Sequence, residues 1–276
     1  MGRGFGRGAF PNTSGESALK SLWDAWPRLE KYFTSKRKKL LLVDFDGTLA
    51  PIVKNPSRAV IEPRSKKALS VLSRSPFYEV IVISGRARKD LGRRLGTSHI
   101  FCIGNHGFEM SAEQGFSLPK AVKEAKRFYP LVRFLARRLK DFFLSLPGVI
   151  IENKRYGLSV HYRNLPRRFR SLFQKKLAGF RSEYRHYPVL WGRGKQLWEA
   201  RLNVPWDKGK AALYLSKKFP KALPIALGDD KTDEDMFRAM KSKGITIRVG
   251  RSKRSAAEYY LRSTKDVAFF LERLCH

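Results

Sequence analysis

Cysteine is nearly absent from this chain of 276 residues. With only Cys102 and Cys275, a zinc site built on thiolates is excluded, and a reducing cytoplasm is the expected compartment. Missing too is any apolar run near the roughly 18 residues of a membrane span, and the N-terminus lacks the apolar centre of a signal peptide. No membrane association is expected. Acidic residues are scarce, 24 Asp plus Glu against 57 Lys plus Arg, a formal net charge of +33. That imbalance points to phosphorylated substrates and predicts nonspecific attraction to nucleic acid at low salt. Nothing in the pattern specifies an oligomer, and a monomer is the expectation.

Hydrophobic residues make up 42% of the chain and aromatics 12%, enough for a full core. Residues 1–15, rich in Gly and Arg without hydrophobic period, read as a flexible arm. Leu19, Leu22, Trp23, Trp26 and Leu29 then fall at helical spacing, interrupted by Pro27. Aliphatic strands alternate with helices: strands at 40–45, 79–84 and 100–105, helices near 63–73 and 87–95. The pattern resumes with strands at 223–229 and 244–250 and helices near 208–218, 233–242 and 265–274. Strand–helix alternation with continuous aliphatic strands predicts an α/β fold, a Rossmann-like parallel sheet covered on both faces. Between the two stretches lie a long helix over 119–145, a hairpin over 149–163, a helix over 166–182 and short strands near 186–191 and 195–201. The expected organisation is a core in two parts, 16–115 and 199–276, around an inserted smaller α/β domain at 116–198.

In a parallel α/β sheet, ligands gather beyond the C-terminal ends of the strands. The run LLLVDFDGTLAP carries Asp44 and Asp46 to such an end, where alternation puts both on one face. Two like charges placed there are costly without a cation. Ser84-Gly85-Arg86 closes the second strand, Asp207-Lys208-Gly209 opens a later helix, and Gly228-Asp229-Asp230-Lys231-Thr232-Asp233 closes a late strand. Each alone has a bland explanation as a turn, helix cap or surface lysine. Together, in order at successive strand ends, they supply the carboxylates, hydroxyl and ammonium of magnesium-assisted phosphoryl transfer.

These four segments resemble, in order, the motifs of the haloacid dehalogenase (HAD) superfamily of phosphatases, and the insert resembles the α/β cap of its sugar-phosphatase branches. Within that superfamily, GNHGFEM (104–110), ENKRYGLSVHYR (152–163), GKQLWEARL (194–202), DKGKAAL (207–213) and GDDKTDEDMF (228–237) resemble the trehalose-6-phosphate phosphatases. The resemblance implies Asp44 as nucleophile, Asp46 as general acid and base, and Lys208 as the neutralising ammonium. It implies Thr48, Ser84 and Gly85 around the phosphoryl oxygens and Mg2+ on Asp44, the Asp46 carbonyl and Asp229, with Asp233 in a supporting role on a metal-bound water or Lys208 and Asp230 in a further supporting role. It assigns a small-molecule sugar phosphate to Asn105, His106 and Glu109 near the first hinge and to Glu152, Lys154, Arg163, Lys195 and Glu199 of the cap. His161 reads as a packed or hydrogen-bonded histidine, and Trp191, Trp198 and Trp206 as packing. A competing reading, a degenerate phosphatase fold serving as a basic polyanion-binding module, is opposed by the intact Asp44, Asp46, Lys208 and Asp229.

Overall fold

The computed structural model describes residues 19–53, 55–96, 99–110, 117–194 and 196–276. The arm expected at 1–15 and the candidate residue Lys195 lie outside the described residues.

In chain order the elements are β1 (Lys20–Ser21), α1 (Leu22–Thr34), β2 (Lys39–Val43), α2 (Pro63–Leu72), β3 (Tyr78–Ile83), α3 (Arg88–Leu95) and β4 (Phe101–Ile103). There follow α4 (Lys120–Ala125), α5 (Tyr129–Phe142), β5 (Ile150–Asn153), β6 (Gly157–His161), α6 (Arg170–Glu183), β7 (Val189–Gly194) and β8 (Leu197–Leu202). Last come α7 (Lys208–Lys218), β9 (Leu223–Gly228), α8 (Asp233–Met240), β10 (Ile245–Val249), β11 (Tyr259–Leu261) and α9 (Thr264–Arg273).

The chain divides into two compact units, one of residues 1–110 with 207–276, the other of residues 111–206. The second edge falls beyond the expected 198 because β8 pairs along its whole length inside the smaller sheet, Leu197 with Gly194 and Leu202 with Val189. The larger unit holds a parallel sheet in the order β1-β11-β10-β9-β2-β3-β4. Strand β2 lies inside the sheet between β9 and β3, so all five of its residues are buried and the run from Leu40 to Val43 is aliphatic. Strands β1 and β11 extend this sheet beyond the five strands that the sequence pattern predicts. Two or three residues are too few to establish a period, and β1 is held by pairing with β11, far away in sequence.

Helix α1 runs through Pro27 and buries Leu22, Ala25, Trp26, Leu29 and Phe33. Edge contacts of Phe33 and Trp26 with Phe270, at 5.4 and 6.2 Å, hold it to α9. The long helix expected over 119–145 is two helices joined by a 3-10 turn at Lys126–Phe128. Pro130 accounts for the break, since it has no N–H to give the carbonyl four residues back and sits instead in the first turn of α5. The smaller unit's sheet is antiparallel, in the order β5-β6-β8-β7. Phe173, Leu177 and Phe180 of α6 are buried, with Phe173 stacked on Tyr162 at 4.8 Å.

Candidate active site

Strands β2 and β9 are neighbours in register, Val43 opposite Leu227, so the residues that follow them emerge side by side. The Asp44 amide donates to the Leu227 carbonyl at 2.9 Å, and this extends the ladder one residue past β2. Asp229 and Asp230 leave β9 at the same end. Helix α7 begins at Lys208 because the side chain of Asp207 accepts the Lys210 amide at 2.8 Å and caps it. The Lys208 side chain, 1% exposed, donates to Asp44 Oδ1 at 2.7 Å and to Asp233 Oδ1.

Asp233 opens α8 and is itself fully buried. Its other oxygen, Oδ2, accepts the amides of Asp229 at 2.9 Å and Asp230 at 3.0 Å. Asp230 Oδ1 accepts the amide and hydroxyl of Thr232, both at 2.7 Å, and the amide of Asp233 at 3.0 Å. Thr48 donates to Asp229 Oδ1 at 3.4 Å. Gly47 takes φ of +87° and passes so close to the Asp229 carboxylate that a methyl group in its place would overlap it.

Four carboxylates thus surround one ammonium, and their proton affinities record the imbalance. Burial, then the charges of Asp233 and Asp230, push Asp229 up to about 7. Burial raises Asp233 to about 6 against the pull of Lys208. Asp44 is driven well above the ordinary carboxylate range by burial, which the attraction of Lys208 only partly opposes. Only Asp230 is held low, at about 2, since Lys208 and the Thr232 hydrogen bond outweigh its burial. One oxygen each of Asp44, Asp229 and Asp233 lies within 4.8 Å of the others. Buried hard oxygen donors with uncompensated negative charge fit a divalent cation of the Mg2+ type. Asp233, expected in a supporting role, stands in this cluster.

The Asp46 side chain points elsewhere. Its two oxygens take a forked pair of hydrogen bonds from Arg86, at 2.7 Å from Nε and 2.6 Å from Nη2. Arg86 is anchored in turn by Asp90 at 3.0 Å and the Pro56 carbonyl at 2.7 Å, and it lies over the Phe45 ring at 5.2 Å. This residue is missing from the expected site, although the Ser84-Gly85-Arg86 segment contains it. Strand order alone does not say which carboxylate a guanidinium will find.

Ser84 is buried, and its Oγ accepts the Arg86 amide at 3.3 Å. At Gly85 an added methyl would meet the His106 ring at 2.6 Å, so the glycine lets the Asn105–Gly107 turn approach. Asn105 and His106 both adopt left-handed backbone, φ of 48° and 55°. Their amides donate to the carbonyls of Arg86 at 2.8 Å and Ser84 at 2.9 Å. Asn105 Nδ2 is buried with no hydrogen-bond partner among the described residues. Glu109 Oε2 accepts the Arg88 amide at 2.6 Å.

In the smaller unit, register brings Glu152, Ser159 and Glu199 into one row across β5, β6 and β8. Glu152 pairs with His161 at 2.9 Å, which together with Lys154 holds its carboxyl below the usual range. Glu199 lies 3.5 Å from Lys154 and 2.6 Å from Arg201. Ser159, absent from the expected set, is fully buried between the two carboxylates, its hydroxyl unpartnered among the described residues. Arg163 follows β6 on an exposed turn. Trp198 carries Arg181 over its ring at 4.8 Å, and Trp191 packs edge-on against Phe180.

Residues 42–265 match the family described as Trehalose-phosphatase. A trehalose-phosphate phosphatase of Mycobacterium bovis is 34% identical over 248 residues, 86% of this chain and 61% of that protein. A probable trehalose-phosphate phosphatase of Arabidopsis thaliana is 31% identical over 255 residues, 87% of this chain and 68% of that protein. The chain therefore spans about three-fifths of the length of the mycobacterial relatives it matches. The C-terminal domain of the C. albicans trehalose-6-phosphate phosphatase shares the fold, with a TM-score of 0.74 at 24% identity over 95% of this chain and 99% of that domain.

Proposed function

We propose, from the premise that the chain belongs to the trehalose-phosphatase family, that it hydrolyses trehalose 6-phosphate to trehalose and inorganic phosphate. The observation that carries this reading is Lys208, buried between Asp44 and Asp233 beside Asp229 at the ends of two paired strands. A desolvated ammonium and carboxylates held before the substrate arrives need little reorganisation during the reaction.

In this mechanism the free oxygen of Asp44 bonds to phosphorus as the bond from phosphorus to the sugar oxygen breaks. Asp46 gives its proton to the departing oxygen, leaving an aspartyl phosphate on Asp44. A water molecule then attacks phosphorus, Asp46 takes its proton, and the Asp44 carboxylate and inorganic phosphate are released. Lys208 orients Asp44 and neutralises phosphoryl oxygens. Thr48, the Ser84 hydroxyl and the Gly85 amide donate to the others. Asp233 fixes Lys208 and the loop after β9, Asp230 braces that loop, and the Arg86 fork orients Asp46. Mg2+ held by Asp44, Asp229 and the Asp46 carbonyl would supply the positive charge that offsets the phosphoryl group's.

Recognition of the sugar is assigned to Asn105, His106 and Glu109 in one unit and to Glu152, Lys154, Arg163, Lys195 and Glu199 in the other. Carboxylates accept from hydroxyls and ammonium or guanidinium groups donate to them, so a disaccharide can be read from several sides. No helix among the described residues is long and apolar enough to cross a membrane. The two free thiols, Cys102 and Cys275, fit a reducing cytoplasm, and the excess positive charge fits a monomer with nonspecific nucleic-acid attraction at low salt.

Phosphate release from a panel of sugar phosphates, with Mg2+ or with EDTA, tests the proposal. Trehalose 6-phosphate should be the preferred substrate and EDTA should abolish turnover. Preference for another phosphorylated sugar or glycoside would move the substrate while keeping the chemistry.

A further inference from the structure

The smaller unit contains a cavity of about 610 Å³ lined by Tyr162, Arg170, Ser171, Gln174, Arg193 and Gln196, with no carboxylate among the residues that line it. Its place in the sheet separates it from the Glu152–Ser159–Glu199 row. Arg193 is opposite Trp198 in register, and Trp198 is covered by Arg181 of α6, so Arg193 belongs to the face that α6 covers. Glu199 is the next residue along β8, and successive residues of a strand point to opposite faces. The cavity and the carboxylate row are therefore on different sides of one sheet.

Its chemistry is one-sided. Arg170 and the exposed Arg193 line it with Ser171, Gln174, Gln196 and Tyr162, and neither arginine makes an ion pair among the described residues. Arg170 Nε is buried and has no hydrogen-bond partner there. A buried cationic donor without an acceptor costs free energy that a bound anion would remove. Guanidinium groups present forked donors matched to phosphate oxygens. The volume exceeds what one phosphate group fills, and Ser171, Gln174 and Gln196 offer neutral donors and acceptors to the remainder.

We propose that this cavity is a second, noncatalytic binding site for a small phosphorylated molecule, its phosphate held between Arg170 and Arg193. The inference is independent of the reaction assigned above. The phosphate takes the place of water on the two guanidiniums, and a hydroxyl-bearing body occupies the cavity beside Gln174 and Gln196.

The test is backbone-amide NMR of the full chain in EDTA, titrated with inorganic phosphate and, in a separate arm, with glucose 6-phosphate. Saturable shifts at Ser171, Gln174 and Gly194 are expected with both probes, tighter with the sugar phosphate. Arg170→Gln and Arg193→Gln should each weaken binding at these amides about tenfold while leaving phosphate release in Mg2+ within about twofold of the parent. Unshifted amides in the parent chain at saturating probe would overturn the site. So would equal affinity in both variants, a readout that needs only that they remain folded, as their catalytic rate reports. If a short DNA duplex shifts α5 and α6 broadly and binds more tightly than glucose 6-phosphate at physiological salt, the cavity belongs to a polyanion surface and the small-molecule assignment falls.

Discussion

In the larger unit Asp44, Lys208 and Asp233 are each 6% exposed or less, whereas among the described residues of the smaller unit the only buried polar side chain is the uncharged Ser159. Glu152, Lys154 and Glu199 keep part of their surface in water. Charge balance differs as well: residues 111–206 carry 21 Lys plus Arg against 6 Asp plus Glu. The contrast matches two kinds of work. Groups that act on a forming charge gain from desolvation and fixed geometry, while groups that read hydroxyls gain from accessible, adjustable donors and acceptors. Loss of a buried group should therefore stop the chemistry for every substrate, and loss of a half-exposed one should change which substrate is preferred.

The largest effect is expected at Asp44. Asp44→Asn should lower kcat by at least about a thousandfold on any phosphomonoester, with the unfolding midpoint little changed because the amide keeps the shape. Asp46→Asn should follow closely. More than a few per cent of activity left in Asp44→Asn would rule out the covalent route.

Arg86→Lys removes the fork and keeps the charge. It should reduce kcat about 10- to 100-fold with KM nearly unchanged, since it disturbs the proton donor and not binding. A rise in KM alone would assign Arg86 to the substrate.

Glu152→Ala, Lys154→Ala and Glu199→Ala should each lower kcat/KM for trehalose 6-phosphate about tenfold or more and leave p-nitrophenyl phosphate within about threefold. Equal losses on the two esters would erase the distinction between the units.

Stability offers a finer test. Asp229 and Asp233 have folded-state values near 7 and 6, above those of an unfolded carboxylate, so the folded chain binds more protons than the unfolded one in between. Without Mg2+, stability should accordingly fall as pH rises from about 4 to 7. Mg2+ displaces those protons, and the midpoint it adds should be several degrees larger at pH 8 than at pH 5. Thermal melts at both pH values, in EDTA and in Mg2+, decide the point, and equal Mg2+ shifts would place the cation away from these carboxylates.

The smallest effect concerns the diffuse charge. Raising salt toward 0.5 M, where the Debye length is about 4 Å, should lower kcat/KM severalfold and leave kcat nearly constant. A parallel fall in kcat would show that the surface field reaches the chemical step.

Aliphatic runs and turn residues were enough to find β2, β3, β9 and β10, because a strand buried on both faces is mostly aliphatic. They were not enough for β1 and β11: β11 pairs with β10, and β1 joins the sheet only by pairing with β11 more than 200 residues away. At the site, Asp44, Lys208 and Asp229 were legible from carboxylates and an ammonium at strand and helix ends, positions where a parallel sheet gathers ligands. The family resemblance also implied Asp233 on Lys208 or on a metal-bound water, and its carboxylate does bond Lys208. Asp233 is close in sequence to Asp229, but its bond to Lys208 depends on how α7 and α8 pack.

Local pattern thus settled the α/β alternation, the insertion and the chemical type of each strand end, since periodicity and turn geometry act over a few residues. Packing and register settled the rest. They joined Arg86 to Asp46 and aligned Glu152, Ser159 and Glu199 in one row. They also put Arg193 on the opposite face from Glu199, where a shift of one residue in pairing would exchange the two. A side chain's partner is chosen by the long-range contacts that bring distant elements together, and those contacts form only in the folded chain.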